Sequence, residues 1–308
     1  MTGTVPPTGD HGGDAAGVAA ALGLDAADLL DLSQSLNPFA PDPTPVVAHH
    51  LDQVARYPDP TPATLSLATA MGIEPGRLLL TNGGSEAISL VAAELGRGWV
   101  DEPDFSLYRR ALGALDPTGP RFRSNPHNPS GLLADPADQA AVWDEAFYPL
   151  AAGSWTRGDA DTIVVGSLTK LLACPGLRIG YVLAPASDPD LIERLRRRQP
   201  QWAVNGLTAG ALPELLDQVD LPEWRHQIAG ARQALGATLA AHGLTARPSD
   251  APWVLVDAPD LRDRLAPAGV LVRDCASFGL PGIARIAVPD AAGLARLGTA
   301  LDRISPIG

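Results

Sequence analysis

Short apolar runs alternate with helical segments through the first two thirds of the chain. The runs at 77–81 (RLLLT), 162–166 (TIVVG) and 178–183 are rich in leucine, isoleucine and valine. Segments 86–95 and 191–198 instead place their apolar residues at helical spacing. Continuous apolar strands separated by helices are typical of a mainly parallel sheet covered on both faces. The alternation therefore predicts an α/β fold, with further short strands at 98–100 and 141–143 and helices over 15–30 and 106–115.

The pattern changes after about residue 205. An alanine-rich helical stretch covers 212–242, strands are expected at 253–257, 270–273 and 283–288, and a last helix at 291–304. We expect a smaller α+β domain here. The predicted division is an N-terminal arm with part of the small domain at 1–36, a large ligand-binding domain at 37–204, and a small C-terminal α+β domain at 205–308.

Composition narrows the possible partners. The 308 residues carry a formal net charge of −12, which argues against nucleic acid and anionic membranes as partners. The two cysteines, Cys174 and Cys275, form neither a disulfide framework nor a zinc-ligand spacing, so we expect no metal and a reducing cytoplasm. No signal-peptide pattern opens the chain, and no apolar run approaches the roughly 20 residues that span a bilayer.

Three segments suggest a ligand site, and each has a purely structural alternative. Gly83-Gly84-Ser85 follows a strand and begins a helix, which suits a phosphate; the alternative is a plain turn capped by Ser85. Segment 124–131 (SNPHNPSG) holds two Asn-Pro pairs that fix amide side chains rigidly, or simply forms a surface turn. Asp144 ends a predicted strand, where α/β proteins bind ligands, or caps a helix.

Two further segments carry cations in apolar surroundings. Lys170 lies just past the TIVVG strand, and a partly buried lysine of lowered pKa is a Schiff-base nucleophile. The alternative is a lysine whose amine extends to the surface. Arg285 lies inside an apolar strand, twelve residues after Arg273, where it must meet an anionic ligand or form a structural ion pair.

Together these segments resemble the fold-type-I pyridoxal-phosphate enzymes, the relatives of aspartate and histidinol-phosphate aminotransferases, over most of the chain from Asn37 to Val288. The resemblance implies an aspartate-aminotransferase-like fold and pyridoxal 5′-phosphate as cofactor. It implies that Lys170 holds the cofactor covalently and that Asp144 pairs with the pyridinium nitrogen. The other cofactor-binding residues that it implies are Gly84, Ser85, Ser167 and Arg178 at the phosphate, Asn128 at the ring hydroxyl, Phe105 stacked on the ring, and Tyr57 at the phosphate of a partner subunit.

Two N-terminal features resemble the L-threonine-O-3-phosphate decarboxylases of cobalamin biosynthesis within that family. These are His11-Gly12-Gly13 and the Ser-x-x-Leu-Asn-Pro segment that contains Asn37; Phe147 in place of a usual tyrosine also fits. The resemblance implies a small phosphorylated amino-acid substrate bound by His11, Asn37, Arg273 and Arg285, and a homodimer with shared active sites. The alternatives are an aminotransferase, such as one for histidinol phosphate, and a non-catalytic binding protein that kept the fold.

Two gaps are shorter than is usual in the family. Only 19 residues separate Phe105 from Asn125, and only 12 separate Gly131 from Asp144. We therefore expect that the chain has lost material from its central sheet.

Overall fold

The computed structural model describes residues 4–9, 12–158 and 161–304. The chain forms two compact units, each assembled from separate stretches of sequence. Unit 1 comprises 1–39, 128–132 and 226–308, and unit 2 comprises 40–127 and 133–225. The helices in chain order are α1 (Ala15–Leu22), α2 (Thr44–His49), α3 (Thr61–Met71), α4 (Gly83–Leu95), α5 (Leu107–Ala111), α6 (Tyr148–Ala152), α7 (Leu168–Leu171), α8 (Leu191–Arg198), α9 (Gly206–Leu216), α10 (Leu221–Ala241), α11 (Leu261–Leu265) and α12 (Ala291–Arg303). The strands are β1 (Leu30–Leu32), β2 (Leu78–Thr81), β3 (Arg97–Val100), β4 (Ala114–Leu115), β5 (Arg121–Ser124), β6 (Val142–Asp144), β7 (Ile163–Ser167), β8 (Gly180–Leu183), β9 (Trp253–Asp257), β10 (Val270–Asp274) and β11 (Ile283–Ala287).

Unit 2 is built on a seven-stranded sheet of order β2-β8-β7-β6-β5-β3-β4. Strands β3 to β7 pair in parallel, and β8 runs antiparallel to both of its neighbours. Leucine, isoleucine and valine side chains of α4 and α8 pack on one face of this sheet together with Tyr108 of α5. The parallel arrangement places the ends of β5, β6 and β7 along one edge, where ligands bind in sheets of this kind.

Arginine and tryptophan side chains cover part of the other face. Residues alternate sides along a strand, so Phe122 and Val142 point into the helix-covered core, whereas Arg123 and Trp143 point away from it. The Arg123 guanidinium lies 5.7 Å from the Trp143 ring, and that of Arg157 lies 4.6 Å from the same ring. These cation–π contacts cover a tryptophan that has no exposed surface.

Unit 1 contains a four-stranded sheet of order β1-β10-β11-β9. Strand β1 pairs in parallel with β10, and the other pairs are antiparallel. Leucines of α10 and α12 pack on valines and Ile286 of this sheet. The predicted α/β fold, with a mainly parallel sheet and a smaller α+β part, is confirmed.

The expected loss of central-sheet material, compared with the family, stays a prediction. The first short gap still contains α5, β4 and β5, and the large sheet has seven strands. The connection from β5 to β6, residues 125–141, contains no helix. Arg123 and Arg157, which lie beside the Trp143 ring, cover this part of the sheet.

Several local predictions also differ. Only Leu107–Ala111 of the expected 106–115 helix is helical, because Gly113 follows and residues 114–115 pair with β3. Leu30, expected in a helix, begins β1. Strand β5 lacks a continuous apolar run, since it alternates Phe122 with arginines, and the sequence pattern did not predict it. Across the described residues, no helix combines the length and apolar composition needed to cross a membrane.

Candidate active site

Glycines bring the first turn of α4 against the end of β7. Asn82 is the N-cap of α4 and makes no side-chain capping bond, and Ser85 is the third helical residue, so the alternative of a Ser85 cap is wrong. A Cβ atom on Gly84 would lie 3.2 Å from the Ser167 Cβ. The first turn of α4 therefore packs directly against Ser167, and the N–H groups at the start of a helix, with the positive end of its dipole, suit an anion.

Arg178 completes this group of residues. Its backbone is left-handed, with φ of +56°, and its guanidinium lies so close to Gly83 that a Cβ there would come within 2.5 Å of Nη2. A Cβ on Gly180 would meet the main chain of Gly83 and Gly84 at 2.5 Å. Only glycine therefore fits at position 180, and this allows the strand to pass directly behind the start of α4. We name Gly84, Ser85, Ser167 and Arg178 the anion cradle.

Asp144 ends β6 with both carboxylate oxygens engaged. Its Oδ1 accepts the main-chain N–H of Ala146 at 3.0 Å, and its Oδ2 accepts the hydroxyl of Tyr108 at 2.8 Å. Burial of the carboxyl group raises the pKa of Asp144 to about 6, although both hydrogen bonds oppose that rise. Phe147, not Asp144, is the N-cap of α6, so the helix-capping alternative is wrong.

Tyr108 links this carboxylate to the expected stacking residue. Its side chain is 1% exposed, and its ring meets that of Phe105 edge to face at a centroid distance of 5.6 Å. Burial raises the pKa of Tyr108 well above its usual value, so the phenol stays a neutral donor. Tyr108 was not predicted from the sequence; the Phe-x-x-Tyr spacing, which places the two rings about one turn apart at the start of α5, could have revealed it.

Lys170 lies in α7, the short helix that follows β7 directly. It comes three residues after Ser167 of the anion cradle and is half-buried. Strand β7, which precedes α7, pairs in register with β6, so that Val165 is the partner of Asp144. The lysine and the aspartate therefore follow adjacent parallel strands at the same edge of the sheet.

Unit 1 holds a second group of predicted residues, around two buried arginines. Arg273 and Arg285 are register partners on antiparallel strands, 3% and 8% exposed. Arg285 donates from Nη1 to Oδ1 of Asn128 at 2.7 Å, and Arg273 donates to Ser277 Oγ at 2.8 Å. Within the described ranges Arg285 contacts no carboxylate, so the ion-pair alternative is wrong.

Burial acts on both guanidinium groups. It lowers the pKa of Arg285 to about 10, helped by the nearby charge of Arg273, and it also lowers the pKa of Arg273. The Arg285 guanidinium lies 5.1 Å from the ring of Trp253. Both arginines stay cationic at neutral pH, and two adjacent buried cations form a ready site for anions.

The remaining predicted residues are placed as follows. Asn37 is buried, and its Oδ1 accepts the N–H of Phe39 at 3.0 Å. Tyr57 is 78% exposed and stacks on Trp202 at 4.3 Å. His11 lies outside the described residues. Among those that are described, no cluster of three histidine, cysteine or acidic side chains could hold a metal ion.

The residues of unit 2 fit the expected cofactor. A phosphate needs several converging N–H donors and a cation, which the anion cradle supplies. A pyridine nitrogen needs a buried carboxylate held in place, which Asp144 supplies through its two hydrogen bonds. An aromatic ring needs a flat apolar surface, which Phe105 offers, and an aldehyde needs an amine, which Lys170 carries.

Comparison with known proteins gives a consistent picture. The family model for class I and II aminotransferases matches residues 122–301. Threonine-phosphate decarboxylase of Salmonella typhimurium is 32% identical, covering 96% of each chain. Histidinol-phosphate aminotransferase of Symbiobacterium thermophilum is 30% identical, covering 87% of each. A putative aminotransferase structure from Burkholderia pseudomallei superposes with a TM-score of 0.78 at 24% identity, over 89% of this chain and 97% of the other.

Proposed function

The chain belongs to the class I and II aminotransferase family, and from this premise we propose that it decarboxylates L-threonine O-3-phosphate to (R)-1-amino-2-propanol O-2-phosphate. Pyridoxal 5′-phosphate is the cofactor. The proposal places the reaction in cobalamin biosynthesis and in the cytoplasm.

The main support for this substrate is the pair of adjacent buried cations, Arg273 and Arg285. The Arg285 guanidinium is almost fully buried and contacts no carboxylate within the described ranges, so its charge favours an anionic ligand. Threonine phosphate brings two anions, a carboxylate and a phosphate. In our proposal Arg285 binds the carboxylate, while Arg273, with Asn37 and His11, binds the phosphate. The relative with the decarboxylase name, similar over nearly the whole chain, supports the same substrate.

The other predicted residues take roles at the cofactor. The anion cradle binds its phosphate, Lys170 is its covalent attachment point, and Asn128 bonds its ring hydroxyl. Phe105 covers one face of the ring, and Asp144 keeps the ring nitrogen protonated. When bound, the cofactor supplies a ring that accepts the electrons of a breaking bond at the substrate Cα, and the bond held perpendicular to the ring breaks fastest. The residues that clamp the substrate therefore choose the reaction.

Turnover of threonine phosphate tests the proposal directly. We expect the holoenzyme to release CO₂ from L-threonine O-3-phosphate without added 2-oxoglutarate, and the Lys170→Ala variant to release none. Arg285→Leu and Arg273→Leu should each raise KM at least tenfold, since each removes a charge-assisted contact of about 1.5–3 kcal/mol. No CO₂ release from an enzyme saturated with cofactor would refute the decarboxylase assignment.

A second candidate is a histidinol-phosphate aminotransferase, favoured by the similarity to enzymes of that name. Its substrate also carries a phosphate, and it uses the same cofactor residues. Formation of glutamate from 2-oxoglutarate when histidinol phosphate is present, without CO₂ release from threonine phosphate, would support this candidate.

We also propose that the enzyme is a homodimer, with Tyr57 reaching the cofactor phosphate of the other subunit. Several large apolar side chains of unit 2 are exposed near it: Leu51, Val54 and Trp202 are 57%, 70% and 54% exposed. Exposed apolar groups of this size mark interaction surfaces.

A mixing experiment tests the shared site. Tyr57→Ala and Lys170→Ala should each be nearly inactive alone. A mixed dimer would keep one site with both native residues, so an equal mixture should recover about a quarter of wild-type activity if subunits pair at random. A mixture that stays inactive although sedimentation shows mixed dimers would refute the role of Tyr57.

A further inference from the structure

We propose that Asp104 is a positioning residue for the cofactor ring: a second buried carboxylate that holds Phe105 and Tyr108 in place and adds negative charge beside Asp144. The inference rests on the proposed role of Asp144 at the ring nitrogen.

Asp104 is held by three hydrogen bonds although it is only 3% exposed. Its Oδ1 accepts the Ser124 hydroxyl at 2.5 Å and the Phe105 N–H at 2.7 Å. Its Oδ2 accepts the Ser124 N–H at 3.1 Å. Three donors to one carboxylate offset part of the cost of burying its charge, because each donor replaces a lost contact with water.

Strand register brings this carboxylate to Asp144. Ser124 ends β5 and is the register partner of Asp144 at the end of β6. Both side chains lie on the helix-covered face, since each is two residues beyond a core residue, Phe122 or Val142. The Ser124 hydroxyl bonds Asp104, and the Tyr108 hydroxyl bonds Asp144. Two buried carboxylates are thus held side by side through adjacent hydroxyl groups.

The same bonds fix the aromatic side chains. Asp104 precedes Phe105 directly and accepts its N–H, so the start of α5 is fastened to the end of β5. Phe105 and Tyr108 lie one turn apart on this segment and contact each other. The ring-stacking surface and the donor to Asp144 therefore depend on one anchored turn.

Other titratable groups surround the pair. His127 lies near Asp104, and its Nε2 is 2.7 Å from the carbonyl oxygen of Pro103. Tyr181 of β8 lies near both Asp144 and the buried Glu145. Burial raises the pKa of Asp104, and its charge contributes to the raised pKa of Asp144. A second negative charge near Asp144 favours a proton on the ring nitrogen.

The test measures ring protonation and cofactor binding rather than turnover. Holoenzyme is prepared with ¹⁵N-labelled pyridoxal phosphate, and the ¹⁵N chemical shift is followed against pH. Asp104→Asn should lower the pH midpoint of ring deprotonation by at least one unit and weaken cofactor binding at least tenfold. Asp104→Glu should restore part of both, because it keeps the charge. Values equal to wild type in Asp104→Asn would overturn the proposal.

Two controls separate charge from loop structure. Glu102→Gln removes the negative charge from the exposed side chain that accepts the Asp104 N–H, and with it the ion pair with Arg109; it should leave the midpoint unchanged. A shift as large as that of Asp104→Asn would show a general effect of the loop and overturn the proposal. If Asp104→Asn does not fold, Asp104→Thr gives the neutral comparison, since its hydroxyl can accept the Ser124 N–H. Asp144→Asn should abolish ring protonation; if it does not, the proposed role of Asp144 fails, independently of Asp104.

Discussion

Tyr108→Phe removes one hydroxyl from the centre of the candidate site, and its cost follows from the contacts of that hydroxyl. Tyr108 donates to Asp144 at 2.8 Å from a fully enclosed position. A hydrogen bond to a charged group contributes about 1.5–3 kcal/mol, and a bond between neutral groups about 0.5–1.5 kcal/mol. Because the pKa of Asp144 is about 6, the carboxyl group is ionised at pH 8 and mostly protonated at pH 5. We expect the apo protein to lose about 2 kcal/mol at pH 8 and about 1 kcal/mol at pH 5.

The chain supplies a matched control in Tyr181. This tyrosine is also 1% exposed, but its hydroxyl has no hydrogen-bond partner within the described part of the chain. Tyr181→Phe deletes the same atom and should be neutral or stabilising by up to about 1 kcal/mol, since it removes an unsatisfied buried group.

Urea unfolding of the apo proteins, followed by tryptophan fluorescence at pH 5 and pH 8, measures both effects. Equal losses of stability in the two variants at pH 8 would refute the contribution assigned to the Tyr108–Asp144 hydrogen bond. So would a loss in Tyr108→Phe that is the same at both pH values.

Three further predictions address other parts of the molecule. Asp144→Asn should stabilise the apo protein above pH 6 by up to about 3 kcal/mol while greatly weakening cofactor binding. The wild type binds more protons when folded than when unfolded, so its stability falls as pH rises from about 4 to about 6. Urea unfolding across this pH range shows whether that dependence of stability on pH disappears in the variant. Gly180→Ala should weaken cofactor binding at least tenfold in a fluorescence titration, because the added methyl group meets the main chain of α4. Gly176→Ala, which has open space around it, should leave the affinity unchanged, and equal affinities of the two variants would contradict this prediction. Arg157→Met should cost about 2 kcal/mol by urea unfolding through lost cation–π contact and hydrogen bonds to carbonyl oxygens, and a loss below about 0.5 kcal/mol would show that the arginine contributes little there.

The fold was predictable where residue pattern and local chemistry agree. The TIVVG run formed a central strand, and the glycines at 83 and 84 led into a helix, because buried parallel strands and tight turns leave a clear mark in the sequence. Strand β5 was not predictable in this way. Its arginines lie on a sheet face that is covered by other charged side chains and tryptophan rings. The periodicity of apolar residues in the sequence cannot predict a strand with such a face.

The sequence identified most of the candidate site residues, but it did not predict how they are arranged in space. The order of the motifs identified Lys170, Asp144 and Asn128. It did not predict the hydrogen bond between Arg285 and Asn128, which lie 157 positions apart in the chain. Tyr108 and Asp104 escaped notice, because a tyrosine or an aspartate near a short helix has many ordinary explanations. Their significance depends on what lies opposite, at the ends of β5 and β6.

The sequence by itself determined the strand and helix alternation, the family resemblance and the residue types of the site, since these are properties of local order and spacing. Tertiary structure alone decided that the first short gap holds two strands of the large sheet, and that Arg273 faces Arg285. It also decided the ionisation of Asp144, which depends on how completely the carboxyl group is removed from water and which donors reach it. Desolvation and cross-strand register arise from contacts between distant residues, so they exist only once the chain has folded.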